Sequence, residues 1–326
     1  RLDRYLDVSD VELYAKLEFA NPGGSAKDRP ALRMVDEALR RGAIQADGYV
    51  IESSSGNMGI GLAQACRWHR LKFVCVVDPR AQPQNVAIMR ALGAEIVCVT
   101  EPDSQSGDFL TARLATVRRL LQQRPGGYWP NQYANRANPA AQQELAREID
   151  EALGGELDCV FVATSSTGAA GGCQDYFRLN RPRVQIIAVD AQHSVLFGGS
   201  PGPRRLPGMG AGKVPPLARG RQFDGVERVA DRDCVVGCRR LAAREALLCG
   251  ASGGGVLETV RRLQALLAGK RCVAVLHDSG TRYLDTVFND EWVETELGFR
   301  PSESKETCCG LPVHVGSWQP AETLCL

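Results

Sequence analysis

Short β-rich runs alternate with helix-like stretches through most of the chain, and this rhythm limits it to an α/β architecture. Strand-like runs at residues 49–52, 72–77 and 95–99 are separated by helical patterns at 59–68 and 85–92. A second series has strands at 159–163, 184–189 and 272–276, with a helix-like stretch at 168–179. Strands spaced by helices in this way form βαβ units around a parallel sheet. The chain has 326 residues and 44% hydrophobic content, enough for two cores, so two lobes are expected, each a mainly parallel sheet flanked by helices. Pro130, Asn131, Asn135, Asn138 and Pro139 cluster at the boundary between them. Residues 198–212, rich in Gly and Pro, are too long for a tight turn and read as a surface or active-site loop. The periodicity fades after residue 300, so 301–326 is expected to be an irregular tail or a dimer-contact extension.

Composition narrows the partners. The 39 basic and 38 acidic residues leave a formal charge of +1, so no long-range field draws the chain to nucleic acid or to a membrane surface. No apolar run reaches the length of a bilayer span, and the first residues lack a charged-then-apolar signal pattern. A cytoplasmic protein with small-molecule partners is expected. Most of the twelve cysteines sit in apolar runs, as Cys75 and Cys98 do among valines, and read as reduced core thiols. Cys234 with Cys238, and Cys308, Cys309 and Cys325, are the clusters. Of the four histidines only His314 lies near the second cluster, so no metal site is expected.

Three loops carry chemistry. Residues 21–29, Asn-Pro-Gly-Gly-Ser-Ala-Lys-Asp-Arg, put Lys27 just inside a helix start, behind glycines that permit close backbone approach. Alone, this is a capping segment with Ser25 as N-cap and Lys27 exposed. Residues 52–59, Glu-Ser-Ser-Ser-Gly-Asn-Met-Gly, follow a strand and open a helix, where hydroxyls and free N–H groups suit a carboxylate. Residues 165–169, Ser-Ser-Thr-Gly-Ala, repeat the strand–loop–helix arrangement in a form that suits a phosphate. Each loop is weak by itself. Together with the Asp278-Ser279-Gly280 turn they form a constellation.

In these motifs the chain resembles the fold-type II pyridoxal-phosphate (PLP) enzymes of the cysteine synthase and cystathionine β-synthase family, over residues 10–295. The resemblance implies a two-domain, tryptophan synthase β-like fold. Residues 21–135 would form the smaller N-terminal domain, and 1–20 with 136–300 the larger one that binds the cofactor phosphate. It implies that Lys27 forms the Schiff base and that Asn57 bonds the PLP 3-hydroxyl. Ser54, Ser55, Gly56, Met58 and Gln132 would bind the substrate carboxylate. Ser165, Ser166, Thr167, Gly168 and Ala169 would hold the phosphate, and Ser279 would face the pyridine nitrogen. A neutral hydroxyl there would leave that nitrogen largely unprotonated and favour elimination over transamination. The chain departs from the family pattern at Ala169 and Met58, where threonine is common, and residue 1 falls after the family's Gly-x-Thr-Pro-Leu segment.

A closer similarity is to the branch of the family that joins O-phospho-L-serine to L-glutamate for 2,3-diaminopropionate and siderophore biosynthesis. It is carried by residues 19–24, 76–79, 101–103, 131–135, 189–198 and 206–211. Such an enzyme must accommodate a leaving phosphate and an incoming glutamate, for which Lys213, Arg204 and His193, flanking the Gly-rich loop, are the candidates. The family also implies a homodimer. The rival readings are a cysteine synthase that uses sulfide and a catalytically silent PLP-fold regulator; intact Lys27, Asn57 and Ser279 speak against the second.

Overall fold

The computed structural model describes residues 1–300 apart from Ser9, so the tail expected at 301–326, with Cys308, Cys309, His314 and Cys325, lies outside the described residues. The strands are β1 (Glu12–Leu17), β2 (Tyr49–Ser53), β3 (Lys72–Val77), β4 (Glu95–Cys98), β5 (Cys159–Ala163), β6 (Gln185–Ala191), β7 (Gly225–Val229) and β8 (Arg271–Leu276). The helices are α1 (Asp28–Arg40), α2 (Asn57–Trp68), α3 (Pro83–Ala91), α4 (Phe109–Gln123), α5 (Ala137–Ala152), α6 (Gly168–Asn180), α7 (Asp231–Glu245), α8 (Ala251–Leu263) and α9 (Asp290–Leu297). They serve a three-stranded sheet of order β2-β3-β4 and a five-stranded sheet of order β1-β8-β5-β6-β7. The strand pairs within both sheets are parallel.

The central strands are buried on both faces, which is why β5 (Cys-Val-Phe-Val-Ala) and β8 (Arg-Cys-Val-Ala-Val-Leu) read as continuous apolar runs. Phe161, Leu276 and the α8 residues Val256, Leu257 and Val260 share one core on one side of the larger sheet. Val160, Val162, Val273 and Val275 face the opposite core with Leu145 of α5 and Phe177 of α6. The nine described cysteines are free, and eight are buried as expected. Cys98 is the exception: at the end of edge strand β4 its side chain is exposed, because no further strand covers it.

The sequence pattern leaves α8 unmarked, since Ala251-Ser252-Gly253-Gly254-Gly255 looks like a loop. Here the glycines permit contact between helices. A Cβ on Gly237 of α7 would drive into the Gly254 carbonyl, and one on Gly254 would drive into the Cys234 carbonyl. The two backbones therefore touch where side chains would hold them apart. Gly237→Ala is expected to lower stability by about 1–3 kcal/mol through overpacking, a loss measurable as a lower denaturation midpoint in urea.

Candidate active site

In a parallel sheet, ligands bind beyond the carboxyl ends of the strands, at the point where the strand order reverses. In the larger sheet that point lies between β5, from which the chain proceeds to β6 and β7, and β8, which returns to β5's other side. The loops after these strands, with the loop after β2, border a cleft of about 200 Å³. Among the residues lining it are Lys27, Ser54, Ser55, Gly56, Asn57, Met58, Gln132, Ser165 and Ser166.

Lys27 is half-buried on the cleft wall, at the N-cap of α1. Ser25 supports this turn, its Oγ accepting the Lys27 N–H at 3.2 Å. The segment is docked on the end of β8: the Ala26 N–H donates to the His277 carbonyl (2.8 Å), the Ser279 N–H donates to the Gly24 carbonyl (3.3 Å), and Ser25 bridges Asp278. From the other side, Gln142 of α5 donates to the Ala26 carbonyl at 2.7 Å. Burial lowers the Lys27 pKa from its ordinary value, against the opposing pull of Asp278 and Glu18. An amine so placed gives up its proton more readily than an exposed one, which suits covalent and proton-transfer work.

The expected carboxylate and phosphate loops form two helix N-termini. At the first, the Ser54 Oγ accepts from the Gly59 N–H at 3.0 Å and holds the loop, while the start of α2 leaves the Asn57 and Met58 N–H groups without intrahelical acceptors. At the second, Ser165 and Ser166 line the cleft, and Thr167, Gly168 and Ala169 form the turn into α6. Thr167 takes a left-handed conformation (φ 63°), and its hydroxyl donates to the Ser166 carbonyl at 2.7 Å. Its contribution toward a phosphate is therefore backbone alone. Gly168 is required by close approach, since a Cβ there would collide with the Asn138 side chain.

Four expected residues, Ser279, Lys213, Arg204 and His193, lie elsewhere. Ser279 does not border the cleft: its hydroxyl accepts from the Thr281 N–H (3.2 Å) and pairs with the Thr281 hydroxyl (2.8 Å), capping a 3₁₀ turn. Ser252, buried in the first turn of α8, does line the cleft, as Asp278 and His277 do. The signal was present as a hydroxyl in a Gly-rich helix start, the same signature as the other two loops. Lys213, 67% exposed, donates to the Thr111 hydroxyl (3.1 Å) and pairs with Asp108 (3.5 Å), and Arg204 bonds the His193 carbonyl (3.3 Å). None of these three lines the cleft; Arg113, Arg205 and Arg282 do. Arg113, on α4, has its Nε 3.3 Å from Asp78.

Gln132 lies over a buried carboxylate. Glu52 accepts from the Trp129 indole (2.9 Å), the Ser53 N–H (2.9 Å) and the Gln132 N–H (3.2 Å), tying the end of β2 to the 129–132 turn. Burial nevertheless pushes its pKa up to about 7, its hydrogen bonds opposing. His277 is buried with both ring nitrogens lacking a hydrogen-bond partner, and burial followed by the Lys27 charge takes its pKa down to about 3.

The donor set suits pyridoxal phosphate. It offers an amine for the aldehyde, a helix N-terminus for the phosphate, an amide and a hydroxyl for the ring, and a buried imidazole with unpartnered nitrogens beside them. The pyridoxal-phosphate dependent enzyme family matches residues 1–278, and the chain belongs to that family. It is 43% identical to the N-(2-amino-2-carboxyethyl)-L-glutamate synthase of Ralstonia nicotianae, over 90% of this chain and 87% of the relative. Among solved structures it is similar to the O-acetylserine dependent cystathionine beta-synthase of Helicobacter pylori, with 33% identity, a TM-score of 0.78, and 85% and 90% of the two chains covered. It is also similar to O-ureido-L-serine synthase, with 27% identity, a TM-score of 0.80, and 90% and 93% covered. The protein is thus a PLP-dependent enzyme of the cysteine synthase-like, fold-type II group, in the class that carries out β-replacement.

Between pH 4.5 and 6.5 the cofactor-free folded protein keeps a proton on Glu52 that the unfolded chain releases, so that stability falls as pH rises. Over the same window the folded protein keeps His277 neutral while the unfolded chain protonates it, so that stability falls as pH drops. The two slopes, each about 1.4 kcal/mol per pH unit, oppose one another. His277→Gln should uncover a stability that declines with rising pH, and Glu52→Gln the reverse, in urea titrations across the window. For the serines, Ser279→Ala should cost about 1 kcal/mol of stability as a lost cap and leave turnover intact. Ser252→Asp should cut turnover by more than tenfold, about 1.4 kcal/mol or more of barrier, and comparison of the two rates decides which serine faces the ring.

Proposed function

We propose that the enzyme joins O-phospho-L-serine to L-glutamate, giving N-(2-amino-2-carboxyethyl)-L-glutamate and phosphate for 2,3-diaminopropionate and siderophore biosynthesis. The observation that carries this reading is the 43% identity, over nine-tenths of the chain, to a relative named for that product. The cleft chemistry supports it. Arg113 adds a cation to the cleft wall, and a second anionic substrate needs such a partner once water is excluded. We further propose a cytoplasmic homodimer as the working form, on the family resemblance. Among the described residues no helix is long and apolar enough to cross a membrane.

The roles follow from position. When bound, pyridoxal phosphate acts as an electron sink for the bonds at the amino acid Cα. Lys27 would hold the cofactor through its amine, and the same amine would take the proton from the substrate Cα and return it after the new bond has formed. The free N–H groups at the start of α2, with Ser55 and Gln132, grip the α-carboxylate. The N-terminus of α6, with Ser165 and Ser166, would hold the cofactor phosphate. Asn57 would donate to the ring oxygen, and Ser252, rather than Ser279, would serve the ring nitrogen. The Cβ–O bond to phosphate would break after the Cα proton is taken, and the glutamate amine would then bond to Cβ and give up a proton to solvent, with Arg113 fixing a glutamate carboxylate.

O-Phospho-L-serine alone should produce a long-lived change in visible absorbance that L-glutamate discharges at micromolar to millimolar concentration, the usual range of substrate use. D-Glutamate and L-aspartate should discharge it poorly, because a misplaced carboxylate leaves buried partners unpaired. Arg113→Ala should raise the KM for L-glutamate by about tenfold to a hundredfold, the size of a lost charge-assisted hydrogen bond, with the phosphoserine step retained. Efficient discharge by sulfide with none by L-glutamate would instead make this a cysteine synthase.

A further inference from the structure

Asp278 is a carboxylate in a place where burial is costly. It stands at the end of β8, 2% exposed, on the wall of the cleft. One oxygen, Oδ2, accepts two hydrogen bonds: from the Asn57 amide nitrogen at 2.8 Å and from the Tyr283 hydroxyl at 2.7 Å. The other, Oδ1, is buried without a hydrogen-bond partner against Gly250, where a Cβ would collide with it. The backbone holds the residue in place, with the Gly250 N–H donating to the Asp278 carbonyl (2.9 Å) and Ser25 bridging it from the Lys27 segment. A residue pinned this closely, with both donors directed to one oxygen, sets the geometry of whatever it bonds.

Asn57 is what it sets. An asparagine amide has a donor end and an acceptor end of nearly equal size, and its surroundings decide which way it faces. Asp278 Oδ2 already accepts from the Tyr283 hydroxyl and stands as an acceptor, so Asn57 presents its NH₂ to it. The Tyr283 hydroxyl, sharing the same oxygen, keeps Asp278 from turning. The second N–H of the Asn57 amide is then left beside the cleft, and the orientation that would present Oδ1 there is excluded. We propose that Asp278 is a positioning residue for Asn57, fixing the amide so that an N–H, and not the carbonyl oxygen, meets the cofactor's ring oxygen. The proposal rests on the reading of Asn57 given above. Asp278 itself touches neither cofactor nor substrate in this role; it acts through the amide.

A double-mutant cycle tests this on the full chain, with the visible absorption maximum and the PLP concentration for half-reconstitution as readouts. Asn57→Ala should weaken PLP binding about tenfold and shift the band, as expected when an oriented contact is lost. Asp278→Ala should do nearly the same, and the double variant should be no weaker than Asn57→Ala alone, because residues acting through one contact do not add. Asp278→Asn can keep an oxygen toward both donors with its NH₂ in the place of Oδ1, so it should retain the wild-type band and an affinity within about threefold. A role through negative charge alone would instead leave Asp278→Asn as impaired as Asp278→Ala. That result, additive losses in the double variant, or an unaltered Asp278→Ala protein overturns the proposal. Where Asp278→Ala does not fold, Asp278→Asn decides alone: a wild-type band supports the proposal and a band like that of Asn57→Ala overturns it. An unaltered Asn57→Ala protein would refute the reading of Asn57 itself, which is a separate failure.

Discussion

The docking of the Lys27 segment onto the end of β8 is the contact on which the rest of the site depends. Its backbone bonds, Ala26 to His277 and Ser279 to Gly24, extend the hydrogen bonding of the sheet edge into the loop. The loop thereby takes its position from an interior strand of the larger sheet, flanked by β1 and β5. Groups held on regular elements keep closer geometry than groups on free loops. The same docking puts Lys27 next to Asp278 and His277, and it brings Asn57, at the start of α2, within reach of Asp278.

Behind this contact lies an ion-pair network that fixes the start of α1. Glu18, fully buried, receives Arg29 through two hydrogen bonds (2.8 and 2.9 Å) and Lys16 at 3.2 Å, while Arg29 also binds Glu148 of α5 at both oxygens. Removing one partner from a buried group of this kind costs about 3–5 kcal/mol, because the remaining charge has no compensation. The network joins β1, α1 and α5, elements far apart in the sequence, around the helix whose N-cap is Lys27. Charge near Lys27 is thus balanced: Asp278 and Glu18 favour its protonated form, and burial disfavours it more strongly.

Much of the fold was legible from residue order. β3 and β5 fall on the residues their apolar runs marked, and β2, α2 and α6 differ from expectation by one or two residues at their ends. The strands at the rim were harder: β1 and β7 carry mixed polar and apolar residues because edge strands are only partly covered. The start of α1 was legible behind Lys27, whereas α4, α5 and α7 carry no short motif that marks them. The loops around Lys27, Asn57 and Ser165 were legible because each combines a strand end, small or hydroxyl residues and a helix start, which chemistry at a helix N-terminus requires. Ser252 was missed because its glycines serve the α7–α8 contact, a reason visible only once both helices are in place.

The sequence by itself determined the class of fold, the family and the loops that open onto the cleft, that of Lys27 among them. These are local properties, written in apolar periodicity and in short motifs with fixed spacing. The tertiary structure decided which side chains reach the cleft. It turned Ser279 onto Thr281 and brought in Ser252, left Lys213 at the start of α4, and set Arg113 on the wall. It also paired Asn57 with Asp278 across 221 positions of sequence. The physical reason is that a side chain's direction depends on the twist of its strand, the cap of its helix and the neighbour that occupies its alternative position, and those neighbours come from distant parts of the chain.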